Sequence, residues 1–521
     1  MLPRPGAAGH TLKPAIVFMG FMGAGKSHAL DVARMSGLKT TEIDAQMERE
    51  LGTSIAAAFE RDGEEAFRAR EAEVVGELLE RADGGAIALG GGSVLSERIR
   101  AALGRHIVVW LQIDPDEAWR RIEGTERPLA RSAEDVARLL GTRLPLYERL
   151  ADAVLPQGDP GLVARALPSI RALADLPQGT RLIWATSASG EYPVLVGSGL
   201  LGADGPWPLD SRRFLVTDRT VGGLYAERVE PLGGRVEVEP GEAAKTMAEA
   251  ERVLRELTRA GMTREDHVVA LGGGVVGDLA GFCAHTYQRG VPVVQVPTSL
   301  VAQVDSAYGG KTGVDLPEGK NYVGAYHLPA AVLADTATLG SLPRAELAAG
   351  FVEALKTGLL AGGGLWQRVR SLETLDAGDL ADVVFACARF KCEVVAADER
   401  DAGLRAVLNL GHTVGHAIEA ASGYERYRHG EAIGLGLLAA LRLSSAAELR
   451  DEVEAILRHH ELPTELDPAI EVDAVLDALQ RDKKRTAEGV GFVLLPEPGQ
   501  PRTGQIVAPG TVRAAVLELY G

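Results

Sequence analysis

The stretch GFMGAGKS, at residues 20–27, places a lysine and a hydroxyl behind three glycines. It fits the pattern GxxxxGKS, follows the apolar run AIVFMG and precedes SHALDVARM, which has the pattern of a helix. Gly20, Gly23 and Gly25 allow backbone N–H groups to converge on phosphate oxygens. Lys26 can bridge the terminal phosphates, and the Ser27 hydroxyl can hold Mg²⁺. The segment therefore predicts a site for a nucleoside triphosphate and magnesium.

A second group of residues has the types and spacing of metal ligands. His412 and His416 lie four residues apart in LNLGHTVGHAIEA, which puts both on one face of a helix. His429 follows in YRHGEAIG, and Glu353 lies upstream in GFVEALKTG. Ligands from separate elements around an open position are typical of catalytic zinc. Paired histidines at this spacing also occur without a metal, as one surface and one core residue.

The sequence ALGGG occurs twice, at 88–92 and at 270–274. The second copy follows an apolar strand pattern and opens a helix, whose N-terminus favours an anion. It lacks the GxGxxG spacing, so the triplet by itself fits a tight turn as well as a ligand loop. The flanks of the two copies differ, and the pattern needs no duplication to explain it.

The elements that must position these residues alternate between strand and helix patterns. AIVFMG, AIALGG and HIVVWLQID in the first part, and RRFLVTD, HVVALGGG and VPVVQVPTS in the second, predict parallel α/β sheets. A stretch rich in proline and glycine, at about 156–182, separates the two parts, and from about 345 the patterns are long and helical. We predict an α/β fold with a P-loop domain (1–170), a linker (171–182), a nucleotide-binding α/β domain (183–345) and an all-helical domain (346–521).

Composition narrows the function classes. Of 521 residues, 46% are hydrophobic and 24% charged, as in globular proteins, and no apolar run is long enough to span a membrane. The first residues lack the pattern of a signal peptide, and the three cysteines form no paired framework, so we expect a cytoplasmic protein without disulfides. A net charge of −17 argues against a nucleic-acid partner. Anionic small-molecule substrates would then need local clusters of Lys and Arg.

Residues 14–155 closely resemble the shikimate kinase family in TTEIDAQMERE, DGEEAFRARE, LGGGSV, EGTERPLA and TRLPLYERLAD. The resemblance implies phosphorylation of shikimate by ATP with Mg²⁺. It assigns ATP and Mg²⁺ contacts to Gly23, Ala24, Gly25, Lys26, Ser27, His28 and the lid residue Arg127, and shikimate contacts to Asp44, Arg68, Gly90, Gly91, Gly92 and Arg143. Lys26, Asp44 and Arg127 would be catalytic. Arginine forks suit the shikimate carboxylate, and Asp44 can orient the attacking hydroxyl and accept its proton.

One position departs from that family. The family usually carries Asp-x-Asp where this chain has Glu42-Ile43-Asp44, so the first carboxylate is one methylene longer. We expect Glu42 still to serve the Mg²⁺ shell through a water.

Residues 180–521 are very similar to 3-dehydroquinate synthase along nearly their whole length. The matching runs are PGEAAKT, ALGGGVVGDLAGFCAHTYQRG, VPTSLVAQVDSAYGGKTGVD, GKNYVGAYH, EALKTG, LNLGHTVGHAIE and HGEAIG. The resemblance implies bound NAD, a divalent metal (zinc or cobalt) and an anionic sugar-acid phosphate as substrate. The implied reaction converts 3-deoxy-D-arabino-heptulosonate 7-phosphate to 3-dehydroquinate with elimination of phosphate and no net oxidation.

The same resemblance assigns residues to each ligand. NAD contacts would be Asp218, Glu242, Lys245, Gly274, Val275, Asp278, Thr298, Ser299, Asp305, Lys311 and Lys320. Metal ligands would be Glu353, His412 and His429. Substrate contacts would be Asp305, Lys311, Asn321, Lys356, Lys391, Arg405, Asn409, His416 and either Lys483 or Lys484. Lys311, Lys356 and His416 would be catalytic, with His416 moving protons. Arg289 matches an arginine that, in this family, reaches across a homodimer interface and contacts the substrate phosphate bound by the other subunit.

Together the two resemblances predict a bifunctional enzyme of the shikimate pathway, which makes chorismate for aromatic amino acids. Two alternatives stay open. In one, a single half is active and the other is a degenerate regulatory module. In the other, the P-loop part is a non-catalytic scaffold or has a different small-molecule specificity.

Overall fold

The computed structural model describes residues 12–124, 131–202, 205–480, 485–486 and 489–520. Arg127, Lys483 and Lys484 were predicted to contact ligands, and they lie outside the described residues. The chain divides into two compact units, residues 1–184 and 185–521, which we call unit 1 and unit 2. None of the helices in the described ranges has the length and apolar character needed to cross a bilayer.

Unit 1 alternates strands and helices. Its elements are β1 (Ile16–Met19), α1 (Lys26–Met35), β2 (Thr40–Glu42), α2 (Ile43–Leu51), α3 (Ile55–Arg81), β3 (Ala86–Ala88), α4 (Glu97–Leu103), β4 (Ile107–Leu111), α5 (Pro115–Ile122), α6 (Ala133–Leu150), β5 (Ala153–Leu155) and α7 (Leu162–Ala172). Strand β6 (Arg181–Ser187) carries the chain across the boundary to unit 2.

The sheet of unit 1 has the order β2-β3-β1-β4-β5-β6, and its pairings are parallel. All four residues of β1 are buried, as expected for a parallel strand covered on both faces. Carboxyl ends of parallel strands lie along one edge of a sheet. The loop after β1, Glu42 at the end of β2 and the glycines 90–92 after β3 therefore share that edge.

The proline- and glycine-rich stretch at 156–182 is largely part of unit 1. Helix α7 buries Leu162, Val163, Ala166, Leu167 and Ile170. Arg171 also donates to the carbonyl of Ser36. The boundary between the compact units falls at 184/185, just past the predicted linker.

Unit 2 opens with a second α/β region and continues with helices. The elements of the α/β region are β7 (Gly190–Gly197), β8 (Arg213–Asp218), α8 (Arg219–Tyr225), β9 (Leu232–Val238), α9 (Met247–Arg259), β10 (His267–Gly272), α10 (Gly274–Thr286), β11 (Val293–Pro297), β12 (Lys311–Leu316), β13 (Gly319–Tyr326) and β14 (Ala331–Asp335). The later elements are α11 (Arg344–Ala361), α12 (Gly363–Arg370), α13 (Ala377–Ala397), α14 (His412–Ala421), α15 (His429–Leu443), α16 (Ala447–His459), α17 (Val472–Gln480), β15 (Arg485–Thr486), β16 (Gly489–Leu494), β17 (Arg502–Ile506) and α18 (Pro509–Leu517).

The sheet of unit 2 has the order β7-β14-β11-β10-β8-β9, again with parallel pairings. Its core includes Phe214, Val216, Val268 and Val293, all fully buried. Asp218 ends β8, Gly273 and Gly274 follow β10, and Thr298 follows β11. Because the carboxyl ends of parallel strands lie along one edge of a sheet, these predicted NAD contacts share that edge. A separate antiparallel hairpin, β12–β13, carries Lys311 and Lys320.

The predicted α/β class and helical C-terminal region are confirmed, with two differences. The apolar pattern over 430–450 predicts one long helix, but the chain breaks between α15 and α16, where Ser445 adopts φ 58°. The C-terminal part is also not all-helical, because β15, β16 and β17 form a small antiparallel sheet. The run GVGFVL forms β16. It is short and follows long helical patterns, so it was not predicted as a strand.

The three cysteines of the chain are free and buried. Burial raises the pKa of the Cys283 and Cys392 thiols to about 12, and that of Cys387 even further. These thiols act as packing groups and form no disulfide.

Candidate active sites in the two units

The loop after β1 has the backbone of a phosphate cradle. Gly20, Gly23 and Gly25 adopt φ of 154°, 80° and 88°, which only glycine takes readily. Gly25 is also the residue from which α1 begins, so the helix N-terminus points at the loop. Lys26 Nζ donates to the carbonyls of Gly20 (3.0 Å) and Phe21 (2.9 Å), which holds the ammonium within the loop. The arrangement fits the phosphates of a nucleotide.

The predicted magnesium ligands face each other. Ser27 Oγ donates to Glu42 Oε1 at 2.6 Å, and both residues are exposed. Glu42 ends β2, two residues before Asp44 at the start of α2. The longer side chain at position 42 therefore reaches the hydroxyl directly, and the pair fits a hard cation that prefers oxygen ligands.

The glycine triplet 90–92 lies among the predicted acceptor contacts. A Cβ on Gly90 would come within 3.2 Å of Asp44 Oδ1, and one on Gly92 within 2.6 Å of Arg68 Nη1. Arg143 Nη1 donates to the carbonyl of Gly91 at 3.2 Å. Any larger side chain here would fill the space between the carboxylate and the two guanidinium groups.

Both arginines are held in place by their surroundings. Arg68 Nη1 pairs with the buried Glu71 at 2.6 Å, and Glu71 also accepts from Ser93 Oγ at 2.6 Å. Arg143 is 3% exposed and lies 5.5 Å from the ring centroid of Phe21. Fixed guanidinium forks of this kind suit a small carboxylate ligand.

A cavity of about 290 Å³ adjoins the phosphate loop at Ala24, Gly25 and His28. Its other lining residues are Leu111, Gln112, Arg121, Leu155, Pro156, Gln157, Gly158, Asp159, Pro160, Leu162 and Val163. Arg121 Nη1 donates to the carbonyl of Gly23 at 2.9 Å, and His28 Nε2 donates to that of Pro160 at 2.8 Å. Arg121 and this wall were not predicted from the sequence, because proline and glycine at 156–160 are equally typical of a connecting loop.

The second glycine loop, in unit 2, is also closely packed. A Cβ on Gly273 would lie 3.3 Å from Ser299 Oγ, and one on Gly274 would lie 3.1 Å from Ser306 Oγ. Thr298 N donates to the carbonyl of Gly272 at 2.9 Å. The bare backbone at the start of α10 fits the close approach of a dinucleotide phosphate. Val275 follows in the first turn of the same helix.

The other predicted NAD contacts on this edge are paired with protein groups. Lys245, which is 4% exposed, lies 2.6 Å from Asp278 Oδ2 and 3.8 Å from Glu242 Oε1. Burial acts to lower the pKa of Lys245, but Asp278 and Glu242 outweigh it and raise that pKa. Asp218 Oδ1 accepts from the backbone of Thr220 and Val221 and so caps α8.

The predicted metal ligands converge from three helices. His412 Nε2 lies 3.6 Å and His429 Nε2 lies 3.3 Å from Glu353 Oε1. Donor atoms of His412, His416 and His429 all lie within 4.8 Å of one another. The cluster therefore holds four donor side chains, one more than the predicted ligand set, and His416 is the exposed one.

Close helix packing makes this convergence possible. A Cβ on Gly430, beside His429, would overlap the carbonyl of Ala349 in α11. Glycine at that position lets α15 approach the helix that carries Glu353.

The Glu353 carboxylate has the character of a cation ligand. It is 1% exposed, and among the described residues no well-directed hydrogen bond reaches either oxygen, although Lys356 Nζ lies 2.6 Å from Oε2. Burial would raise the pKa of Glu353, but Lys356 and His412 outweigh it and hold that pKa well below its usual range. Two imidazoles and a carboxylate suit a catalytic zinc or cobalt ion, and the buried, under-bonded oxygens fit a cation there.

The histidines respond differently to this environment. Burial, with Lys356 adding to it, holds the pKa of His412 well below its usual value. Burial acts in the same direction on His429, but contacts with Glu353 and Glu419 raise its pKa to about 10. Glu419 was not predicted. It lies in α14 seven residues after His412, so helical spacing could have pointed to it.

Next to the metal cluster lies a buried group of opposite charges. Asp305, on the π-helical turn Ala302–Ser306, pairs with Lys391 through Oδ1 and lies 3.8 Å from Lys356 Nζ through Oδ2. Burial would raise the pKa of Asp305, but the two lysines outweigh it and lower that pKa. Arg405 is buried too, and its Nη1 donates to the carbonyl of Glu399 at 2.7 Å.

The remaining predicted contacts are more exposed. Lys311 Nζ lies 2.5 Å from Asp401 Oδ2, and Asn321 adopts φ 56°. Asn409 Nδ2 donates to the carbonyl of Ala406 at 3.1 Å. Arg289 is exposed, with φ 72°. Within unit 2, Arg289 is thus not drawn into the buried cluster.

Family models match three stretches of the chain. The shikimate kinase model matches residues 22–164. The 3-dehydroquinate synthase N-terminal model matches 235–349, and the 3-dehydroquinate synthase C-terminal model matches 350–485.

Curated relatives and solved structures agree with the second part of this division. The 3-dehydroquinate synthase of Symbiobacterium thermophilum is 44% identical over 344 residues, which are 62% of this chain and 96% of the relative. That of Bordetella pertussis is 41% identical over 338 residues, covering 61% and 94%. A 2-epi-5-epi-valiolone synthase from Streptomyces hygroscopicus, with NAD⁺ and Zn²⁺ bound, has a TM-score of 0.56 at 28% identity and covers 64% of this chain and 99% of that chain. A 2-deoxy-scyllo-inosose synthase complexed with carbaglucose-6-phosphate, NAD⁺ and Co²⁺ has a TM-score of 0.58 at 24% identity, covers 65% and 99%, and shares the fold.

Proposed function

We propose roles for the residues of both sites from one premise: the chain belongs to the 3-dehydroquinate synthase family and carries a shikimate kinase domain ahead of the synthase. It is a bifunctional enzyme of the shikimate pathway. Its two reactions are the ATP-dependent phosphorylation of shikimate and the NAD- and metal-dependent formation of 3-dehydroquinate. The observation that supports the residue roles is twofold. In unit 1 the predicted polar contacts lie beside bare glycine backbone at one edge of a parallel sheet. In unit 2 the predicted metal ligands converge from three helices.

In the kinase, the loop at 20–25 would receive the phosphates of ATP, and Lys26 would bridge the terminal ones. Ser27 and Glu42 would hold Mg²⁺, which neutralises phosphate charge when bound. The cavity beside Ala24 and His28 has apolar walls and the guanidinium of Arg121 at its rim, a combination that suits a purine base.

The glycine triplet would form the floor of the acceptor pocket. Arg68 and Arg143 would hold the shikimate carboxylate, which fixes the ring against Gly90–Gly92. Asp44 would orient the attacking hydroxyl and accept its proton. Arg127 keeps its proposed role on the transferred phosphoryl group and lies outside the described residues.

In the synthase, Glu353, His412 and His429 would hold the zinc or cobalt ion. The region from Asp218 to Ser299, with Lys311 and Lys320, would hold NAD. When bound, NAD supplies a reversible hydride acceptor and the metal a Lewis acid. The chain's own task is to orient the sugar acid and manage its protons and charges.

Buried cations would bind the anionic groups of the substrate. Lys356, Lys391 and Arg405 are already partly neutralised by Asp305 and backbone carbonyls, which offsets the cost of burying them. Lys311, Asn321, Asn409 and one of Lys483 and Lys484 would complete the contacts. His416, exposed at the mouth of the metal cluster, would move protons between substrate and solvent.

We further propose a homodimer formed through the synthase unit, with Arg289 reaching the partner's substrate phosphate. The exposure of Arg289 and its left-handed backbone, shared with Gln288 (φ 46°), support an outward-directed role. The free cysteines support a cytoplasmic location.

Both assays on one purified full-length sample test the assignment, with metal analysis of the same sample. We expect shikimate-dependent ADP formation, and NAD-dependent phosphate release from the heptulosonate phosphate. Chelation should abolish only the second activity, and zinc or cobalt should restore it. Full synthase activity after thorough chelation would contradict the metal site, and ADP formation that shikimate does not stimulate would contradict the acceptor pocket.

A further inference from the structure

The two oxygens of Glu419 are divided between two different sites. Oε2 lies 3.4 Å from Nδ1 of His429, and Oε1 lies 3.6 Å from Nζ of Lys320. Glu419 is 4% exposed, and a buried carboxylate needs such partners to offset its lost hydration.

On one side, Glu419 determines which face of His429 is free. When a metal takes the place of the Nε2 proton, an imidazole that donates Nδ1–H to a carboxylate presents its Nε2 lone pair in the opposite direction. In this chain that direction leads to Glu353, whose Oε1 lies 3.3 Å from His429 Nε2. Glu419 thus orients His429 toward the metal cluster without belonging to it.

On the other side, Glu419 holds Lys320 of β13. The Lys320 ammonium also lies 4.7 Å from the ring centroid of Tyr424, and Tyr424 N donates to the carbonyl of Glu419 at 2.8 Å. Lys320, Tyr424 and Glu419 therefore form one connected set. Through it, the hairpin that carries predicted dinucleotide contacts meets the end of the helix that carries His412.

We propose that Glu419 is a positioning residue that couples the metal site to the dinucleotide site. The proposal rests on the proposed roles of His429 in metal binding and of Lys320 in NAD binding. Each ligand orders the shared carboxylate, so the second ligand loses less conformational entropy when it binds. Binding of one ligand therefore strengthens binding of the other, and linkage requires the effect to be reciprocal.

Zinc affinity of the metal-depleted full chain, measured by competition with a chromophoric chelator with and without saturating NAD⁺, tests the coupling. We expect NAD⁺ to raise the zinc affinity of the unmodified chain by roughly 5-fold or more. Glu419→Gln should lower the zinc affinity by about 10- to 100-fold and bring the ratio with and without NAD⁺ close to one. A substitution that only loosened the fold would lower affinity without removing this ratio.

Two further variants distinguish loss of the coupling from a general loss of zinc affinity. Lys320→Met breaks only the dinucleotide side, so zinc affinity without NAD⁺ should stay within about 3-fold while the ratio collapses. Glu425→Gln, an exposed carboxylate near the end of the same helix, is the matched control and should change neither value.

The results separate this proposal from the one on which it rests. If His429→Ala leaves zinc affinity unchanged, the ligand assignment is wrong. If His429→Ala weakens zinc but Glu419→Gln does not, or if NAD⁺ has no effect on zinc in the unmodified chain, the ligand assignment stands and the role of Glu419 is overturned. Unchanged NAD⁺ affinity in Lys320→Met, measured by calorimetry, would overturn the dinucleotide side.

Discussion

The kinase site keeps many of its polar groups at the surface, whereas the synthase site buries most of its charges against one another. Ser27, Glu42 and Asp44 are exposed. Glu353 and Lys356, in contrast, are each 1% exposed and lie 2.6 Å apart. An exposed group can be removed with little effect on the fold, but removing one partner of a buried pair leaves an uncompensated charge. Catalysis and stability should therefore be separable in unit 1 and linked in unit 2.

The largest effect is expected for Glu353→Ala. The change removes a proposed metal ligand and leaves Lys356 buried beside fewer negative charges, so synthase activity should be lost. Stability of unit 2 should fall by about 3–5 kcal/mol, the usual cost of breaking a buried ion pair. Thermal unfolding and both activity assays provide the measurement, and kinase activity at a temperature below the transition should be unchanged.

The exposed Glu448→Ala, in α16 of the same unit, is the control and should shift stability by no more than about 0.5 kcal/mol. An unchanged unfolding midpoint for Glu353→Ala would break the contrast between the two sites.

In unit 1, Lys26→Ala should separate activity from stability. Loss of the ammonium in the phosphate loop should lower kinase kcat by about 10²- to 10³-fold. Its two hydrogen bonds to loop carbonyls limit the loss of stability to about 2 kcal/mol. Synthase activity should not change, and the exposed Lys39→Ala should affect neither assay. If Lys26→Ala abolishes both activities, the units are not functionally independent.

The two arginines proposed to bind shikimate are intermediate in burial between the exposed kinase residues and the buried synthase pair. Arg143 is buried, and Arg68 is only half-buried. Removing either charged hydrogen-bonding group should raise the KM for shikimate by roughly 10- to 100-fold. Arg143→Ala should also lower the unfolding midpoint of unit 1, because its guanidinium packs on Phe21. Arg81→Ala, on the exposed end of α3, is the control. Unchanged KM in both variants would refute the acceptor assignment.

Acid should weaken unit 2 through histidines outside the metal cluster. Burial lowers the pKa of His267 and of His460 to about 4. The unfolded chain, with histidine pKa near 6.5, then binds more protons than the folded chain between these values, so stability falls as pH falls from about 6.5 toward 4. Each residue should contribute a loss of about 2 kcal/mol at pH 5.

Unfolding midpoints of His267→Gln and His460→Gln, measured at pH 7 and pH 5, check this loss. Each variant should show a smaller difference between the two pH values than the unmodified chain. An equal difference in all three proteins would contradict the assignment.

The smallest effect is expected for Glu42→Asp in unit 1. If Glu42 serves Mg²⁺ through a water, an aspartate can do the same, and kinase kcat/KM should change by no more than about 3-fold. Glu42→Gln, which removes the charge, should raise the Mg²⁺ concentration needed for half-maximal rate. A loss of two orders of magnitude for Glu42→Asp would instead indicate direct coordination by the longer side chain.

Local patterns in the sequence predicted the parts of both sites that follow strand ends. Apolar runs identified β1, β3, β4, β8, β10 and β11, because buried parallel strands are short and continuously apolar. The loop before Lys26 and the paired histidines of α14 could also be predicted, because their geometry depends only on residues that are close in the sequence. Residue types suggested that Glu353 joins the histidines, and family resemblance selected His412 and His429 as its partners. Spacing in the sequence could not show their convergence, because three separate helices must pack to produce it.

Features that depend on long-range packing were missed. Arg121 and the wall at 155–163 meet the phosphate loop only because α7 packs within unit 1. Glu419 meets Lys320 only through the placement of β13 beside α14. The break between α15 and α16 falls in SSAAE, whose residues are all compatible with a helix, so only the positive φ of Ser445 reveals it.

The burial of all three cysteines gives the chain a practical property. Thiol-directed reagents act on exposed thiolates, and Cys283, Cys387 and Cys392 offer none at neutral pH. A cysteine introduced at the exposed position 289 would be the one reactive thiol of the chain. Cross-linkers or fluorophores attached there would report association between copies of the enzyme directly, without prior removal of the native cysteines.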